Sequence, residues 1–156
     1  SAKKLLVVLA RTVKNLNKTV ITIMSLVSIA SVMNYAGMIG VIASALVAAT
    51  GVYYPLFVPL IGAIGTFVTG SDTSSNILFG KLQANVASQL SYPDPNWLVS
   101  ANTAGATGGK IISPQSIAIA TASCNMPGRD GEILRSALPY AIGYIILAGL
   151  MVYFAC

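Results

Sequence analysis

Apolar residues fill this chain in long blocks, broken at a few points by short clusters of glycine, proline and hydroxyl residues. Residues 19–34 hold no charge, and scattered Ser and Thr do not interrupt the apolar run. This predicts a membrane helix over 19–51, bent near residues 34–37. Within it Ala36, Gly40, Ser44 and Ala48 recur every fourth residue. Such a small face lets helix backbones approach closely in lipid. Asn34, a polar side chain at depth, suits a hydrogen bond to a neighbouring helix or to a ligand.

Residues 53–69 open with Pro55 and Pro59, and proline is tolerated early in a helix, where the amides lack partners anyway. The apolar length of about 16 residues falls short of the roughly 20 that span a bilayer. The polar cluster Gly70-Ser-Asp-Thr-Ser-Ser-Asn76 follows, then a second modest apolar run over 77–90. Two short arms around a polar turn with no basic flank predict a re-entrant hairpin over 53–90, its tip stopping near mid-membrane. Ser71 or Asp72 is placed to cap the second arm by accepting its free amides. A carboxylate there is favoured by the positive end of the helix dipole.

Residues 91–96 (Ser-Tyr-Pro-Asp-Pro-Asn) form a turn cluster, and Trp97 just inside it suits the interfacial aromatic belt. Residues 96–123 read as a broken membrane helix. The interruption is residues 102–116, where Gly105, Gly108, Gly109 and Pro114 argue against continuous helix. Non-helical backbone at membrane depth persists only where protein buries it or where it lines a watery cavity. Lys110 falls in this stretch, and a charge at that depth marks a functional site by default. Ser113 as N-cap with Pro114 at the first helical position restarts the helix. Residues 125–131 form a second exposed loop, and 133–156 the last membrane helix.

Composition settles the class. The chain is 55% hydrophobic and 8% charged with a mean hydropathy of +0.77, whereas soluble domains carry about 25% charged residues. This is an all-α polytopic membrane protein. Of nine basic residues, Lys3, Lys4, Arg11, Lys14 and Lys18 precede the first long apolar run, and Arg129 and Arg135 flank the last loop. The positive-inside rule places both regions, and so the N-terminus, in the cytoplasm. The first helix then exits, the hairpin dips in from outside, the broken helix returns and the last helix exits again.

That charge distribution accounts for the +5 net charge without nucleic acid, for which no aromatic-interleaved basic face exists. Residues 1–18 read as an amphipathic lead-in whose Lys and Arg meet lipid headgroups, because the apolar stretch 5–10 is too short for a signal peptide. With no histidine and four acidic residues, enzymatic acid–base chemistry is unlooked for, and no cofactor is implied. Cys124 and Cys156 show no metal or redox spacing, and the topology sets them near opposite faces, unpaired.

Placing the hairpin tip beside the break brings two half-helix N-termini, near Ser71/Asp72 and Ser113/Pro114, into one small space. Unpaired amides and partial positive charge there suit a carboxylate, and discontinuous helices meeting at the midplane are a common transporter site. Lys110 adds a formal charge; Ser74, Ser75, Asn76, Asn102, Thr103 and Thr107 add short polar groups. Such a site suits a small hydroxylated anion. Structural roles compete at each position. Lys110 also fits a snorkelling side chain or a partner for Asp72, Asp72 a simple cap, and Lys81 a lipid-facing snorkeller.

Four stretches carry a family resemblance: Asn17-Lys-Thr-Val-Ile-Thr-Ile, Val32-Met-Asn-Tyr-Ala-Gly-Met38, Thr69-Gly-Ser-Asp-Thr-Ser-Ser-Asn76 with Leu78-Phe-Gly80, and Lys110-Ile-Ile-Ser-Pro-Gln-Ser-Ile-Ala118. Together they resemble the C-terminal portion of the L-lactate permease family, from about Lys18 onward. The resemblance implies uptake of L-lactate, and often glycolate, by proton symport across the bacterial inner membrane. It also implies inverted repeats, each with a re-entrant hairpin and an unwound helix, and an elevator motion. On that basis the tip residues Ser71, Asp72, Thr73, Ser74, Ser75 and Asn76 carry over as site material. So do residues 102–116, among them Asn102, Thr103, Thr107, Lys110, Ser113 and Gln115. Lys110 is assigned to the carboxylate and Asp72 to proton coupling by inference from their chemistry.

Family members are several times longer, so the expected partners are a missing N-terminal half or further copies, with membrane lipid, the carboxylate and H⁺. A second reading is a small membrane assembly partner without transport activity. A homo-oligomeric pore would need a polar ring along one continuous helix face.

Overall fold

The computed structural model describes residues 2–92, 94–124, 126 and 128–155, excepting the side chains of residues 2, 3, 11–20, 22, 23, 26, 34 and 122. The expectations for the Asn34 side chain and for Cys156 lie outside the described residues. The described chain is helical throughout: α1 Ala2–Tyr35, α2 Met38–Thr50, a 3-10 turn Gly51–Tyr53, α3 Tyr54–Thr69, α4 Asp72–Gln89, α5 Asn96–Ile112, α6 Pro114–Ser123 and α7 Asp130–Ala155.

α1 is one helix of 34 residues and takes in residues 2–18 of the lead-in. No glycine or proline lies between Ala2 and Tyr35 to stop it. The first interruption comes at Ala36 and Gly37, where Gly37 adopts φ 72°. α2 then packs on α4, and it does so through Ile39 and Ala43 in a cluster with Leu82, Val86 and Ala87. The small stripe of Ala36, Gly40, Ser44 and Ala48 is therefore not the buried face; Ala36, Ser44 and Ala48 are exposed and Gly40 has open space beside it. Ala43, as small as the stripe's own alanines, lets α4 approach closely beside Ile39.

α3 and α4 are antiparallel, joined only by Gly70 and Ser71, and Tyr54 at one end of α3 reaches Gln83 while Gly62 receives Ser75. α3 packs most extensively on α5. The two run parallel, since Pro59 meets Gly105 and Ala63 meets Gly109. A Cβ on Gly105 would strike the Pro59 backbone, one on Gly109 the Ala63 backbone, and one on Gly62 the Asn102 carbonyl. Gly108 faces α7, against Tyr144 and Ile145.

This corrects the expectation of broken backbone across 102–116. α5 is helical to Ile112, and the interruption is confined to Ser113, at φ −64° and ψ 139°. A glycine costs about 1 kcal/mol in a helix interior. Here each glycine admits a neighbouring backbone, and close packing offsets that cost.

The exterior is apolar over most of its extent, with Leu5, Ile21, Met24, Val41, Val68, Ile146 and Phe154 among the exposed side chains. Among the described residues two helical stretches, Met38–Thr69 and Asp130–Ala155, are long and apolar enough to cross a membrane.

Candidate functional site

The hairpin tip is built by local chemistry. Gly70 closes α3 at φ 71°, donating its N–H to Thr66 O at 2.7 Å. A left-handed residue of this kind is favoured as glycine. Ser71, not Asp72, is the cap of α4: its backbone is extended and its Oγ accepts from Ser74 N at 3.3 Å. Asp72 occupies the first turn. The Ser113 break is capped the same way, its Oγ accepting from Ser116 N at 3.2 Å and donating to Ser116 Oγ at 2.9 Å.

These two starts lie at one level. Lys110, at the end of α5, donates from Nζ to Gly70 O at 3.0 Å, and the Gln115 side chain lies where a Cβ on Gly70 would go. The fold thus brings the tip, Lys110, Ser113 and Gln115 together. Lys110 makes no ion pair with Asp72; the one ion pair among the described residues joins Arg129 to Glu132. The ammonium instead sits at the negative end of the α3 dipole.

From this junction a polar stripe runs down α5. Asn96, Ser100, Thr103, Thr107 and Lys110 recur at alternating intervals of four and three residues, and all are exposed. Along the adjoining edge of α4 lie Thr73, Asn76 and Gly80, which share a face by the same spacing. Asn76 joins the two helices, its Oδ1 accepting from Asn102 Nδ2 at 2.8 Å and from Thr103 Oγ1 at 3.2 Å. Behind the stripe, Asn102 Oδ1 accepts from Gln83 Nε2 at 3.3 Å, and Gln83 Oε1 accepts from Tyr54 OH at 2.7 Å. Tyr54, Gln83 and Asn102 are fully buried.

The residues singled out from sequence therefore divide. Thr73, Thr103, Thr107, Lys110 and Gln115 are exposed and Asn76 is half-buried. Ser74, Ser75, Asn102 and Ser113 are buried, and Ser75 Oγ turns away to donate to Gly62 O at 2.9 Å. Ser71 Oγ is engaged as a cap. Lys81 is exposed and separate from the junction. Two buried oxygens near the tip, Thr66 Oγ1 and Asp72 Oδ1, have no hydrogen-bond partner. Sequence reading missed Tyr54, Gln83 and Thr66. Gln83 could have been found, because it stands seven residues from Asn76 and so shares its helix face.

The family model described as L-lactate permease matches residues 1–156. The chain is 43% identical over 149 residues to the glycolate permease GlcA of Escherichia coli (strain K12), covering 96% of this chain and 26% of that relative. It is 38% identical over 146 residues to an L-lactate permease of Bacillus subtilis (strain 168), covering 94% of this chain and 26% of the relative. An L-lactate permease of Streptococcus iniae is 47% identical over 100 residues, 64% of this chain and 21% of its own length. The chain thus spans about a quarter of the length of the curated relatives it matches, in keeping with family members several times longer. No solved structure matches it.

Proposed function

The chain belongs to the L-lactate permease family, and from that premise we propose that it forms one part of a proton-coupled carrier of L-lactate and related 2-hydroxy monocarboxylates such as glycolate. Permeases are membrane transporters and not enzymes. The observation that carries the reading is the exposed polar stripe ending at Lys110, on an exterior that is otherwise mainly apolar. Thr103 and Thr107 can satisfy their hydroxyls on carbonyls one turn back, but the Lys110 ammonium and the Asn amides have no favourable place against lipid, so this face lines the solute path against the rest of the carrier.

In this reading α3 and α4, with 16 and 18 residues, form the re-entrant hairpin. At 1.5 Å per residue they reach about 24 and 27 Å, short of the roughly 30 Å hydrocarbon core. The Ser113 interruption supplies the second half-helix start, and the unit is one repeat of an inverted-repeat, elevator-type carrier in the bacterial inner membrane with a cytoplasmic N-terminus. Lys110 holds the carboxylate, with Thr73, Asn76, Thr103, Thr107 and Gln115 around the solute. The buried Ser74, Ser75, Asn102 and Ser113 shape that lining from behind, as Ser71 does by capping. Asp72, with one unpartnered oxygen, carries the coupled proton.

The test is L-lactate uptake into proteoliposomes under an inward proton gradient. The chain is assayed alone and joined to the remaining sequence that its relatives possess. Uptake by the joined protein is expected, and Asp72→Asn is expected to abolish gradient-driven accumulation while sparing lactate–lactate exchange. Joined protein that moves no lactate would leave the non-transporting assembly partner as the reading. Normal accumulation by the Asp72 variant removes Asp72 from coupling.

A further inference from the structure

The buried amides behind the polar stripe form a chain with a direction. Each link passes a donor to an acceptor: Tyr54 OH to Gln83 Oε1, Gln83 Nε2 to Asn102 Oδ1, Asn102 Nδ2 to Asn76 Oδ1. An amide has one accepting end and one donating end, so the orientation of the first link dictates that of the last. Tyr54 sets the first. Its hydroxyl is fully buried and carries one hydrogen, and Gln83 Oε1 is its partner among the described residues. Reversing the chain would turn the Gln83 NH₂ to Tyr54 and leave that O–H with no acceptor, which a buried site penalises. At the far end Thr103 Oγ1 lies 3.2 Å from the same Asn76 oxygen and 3.2 Å from Val99 O, and its one hydrogen serves either, so Thr103 does not set the direction and the link from Asn102 does.

We propose that Tyr54, Gln83 and Asn102 are positioning residues that turn the Asn76 NH₂ outward, so that this part of the stripe offers donors and takes an acceptor oxygen of the solute. Asn76 is half-buried at the edge of the stripe, and one turn along α4 Gly80 leaves open space. A carboxylate or hydroxyl oxygen fits there, and a second donor does not. The inference rests on the reading of the stripe as the solute path. The orientation of Asn76 is measurable without any solute.

The experiment uses side-chain amide NMR of the joined protein in nanodiscs, with ¹⁵N-labelled Asn and Gln, together with L-lactate uptake. Exchange of the Asn76 NH₂ with water is expected to be about a hundredfold faster than that of Asn102 and Gln83. In Gln83→Glu, measured at a pH high enough to ionise the buried carboxyl, the new carboxylate accepts from both Tyr54 and Asn102, which turns Asn102 and then Asn76. Its NH₂ becomes protected, and the half-saturation concentration for L-lactate rises about tenfold, as for one lost hydrogen bond to a charged acceptor, with the maximal rate within about twofold. Gln83→Met, of similar volume, imposes no direction and falls between Gln83→Glu and the unsubstituted protein. A role in packing alone predicts the reverse order. Should Gln83→Glu fail to fold, Tyr54→Phe serves, with Asn76 exchange expected to fall between the two extremes. A protected Asn76 NH₂ in the unsubstituted protein, or one unmoved by these changes, overturns the relay. If the unsubstituted protein carries no lactate, the function proposed above fails while the exchange data still decide the orientation.

Discussion

Lys110→Gln is expected to raise the half-saturation concentration for L-lactate by about 10- to 100-fold. A hydrogen bond to a charged group contributes about 1.5–3 kcal/mol, and each 1.4 kcal/mol is a factor of ten in affinity. Lys110 is the formal cation on the polar stripe, and among the described residues one of its three donors is engaged, at Gly70 O. Glutamine keeps a side-chain donor, one bond shorter than the lysine, and the charge is the main loss. Lys110→Arg keeps the charge and is expected to stay closer to the unsubstituted protein. Concentration-dependent uptake into proteoliposomes measures both. If Lys110→Gln leaves half-saturation unchanged, the ammonium serves only to neutralise the C-terminal end of α3, and the carboxylate binds elsewhere.

The second large effect falls on stability. Gly105→Ala is expected to destabilise the protein by about 1–3 kcal/mol, the usual cost of forcing a methyl into a packed core. The added carbon would land on the Pro59 backbone, which has no rotamer to change, so α3 and α5 must separate. Gly109→Ala, aimed at the Ala63 backbone, is expected to behave alike. Gly80→Ala is the control: nothing lies within 4 Å of a Cβ there. Alanine at that position should be neutral or stabilising by up to about 1 kcal/mol through helix propensity. Unfolding in mixed detergent micelles of rising SDS content gives the comparison. Equal stabilities for Gly105→Ala and Gly80→Ala would mean that α3 and α5 are not in backbone contact.

These two effects come from one segment that the sequence reading placed wrongly. Three glycines within five residues, Gly105 to Gly109, read in sequence as unwound backbone, and the structure makes them a helix surface for close packing. Propensity favours the first reading, and the presence of α3 decides for the second. The same limit applies to α2, whose small stripe is periodic and conspicuous yet lies outside the contact made by Ile39 and Ala43. Periodicity identifies faces; it does not say which face meets a partner.

Some features depend only on chain neighbours or on transfer from water, and the sequence alone determined them. Hydropathy sets the membrane class, because the cost of exposing apolar surface is local to each residue. The turn at Gly70 and Ser71 and the cap at Ser113 follow from short-range bonds within four residues, whereas the cap of α4 stayed open between Ser71 and Asp72 until the structure chose Ser71. The family motifs are legible for the same reason. Tertiary structure alone decided the helicity of α5 through its glycines and the sorting of hydroxyls into buried and exposed ones. It also decided the relay from Tyr54 through Gln83 and Asn102 to Asn76, whose links span 29, 19 and 26 residues. A hydrogen bond has a partner and a direction, and neither exists until α3, α4 and α5 are packed together.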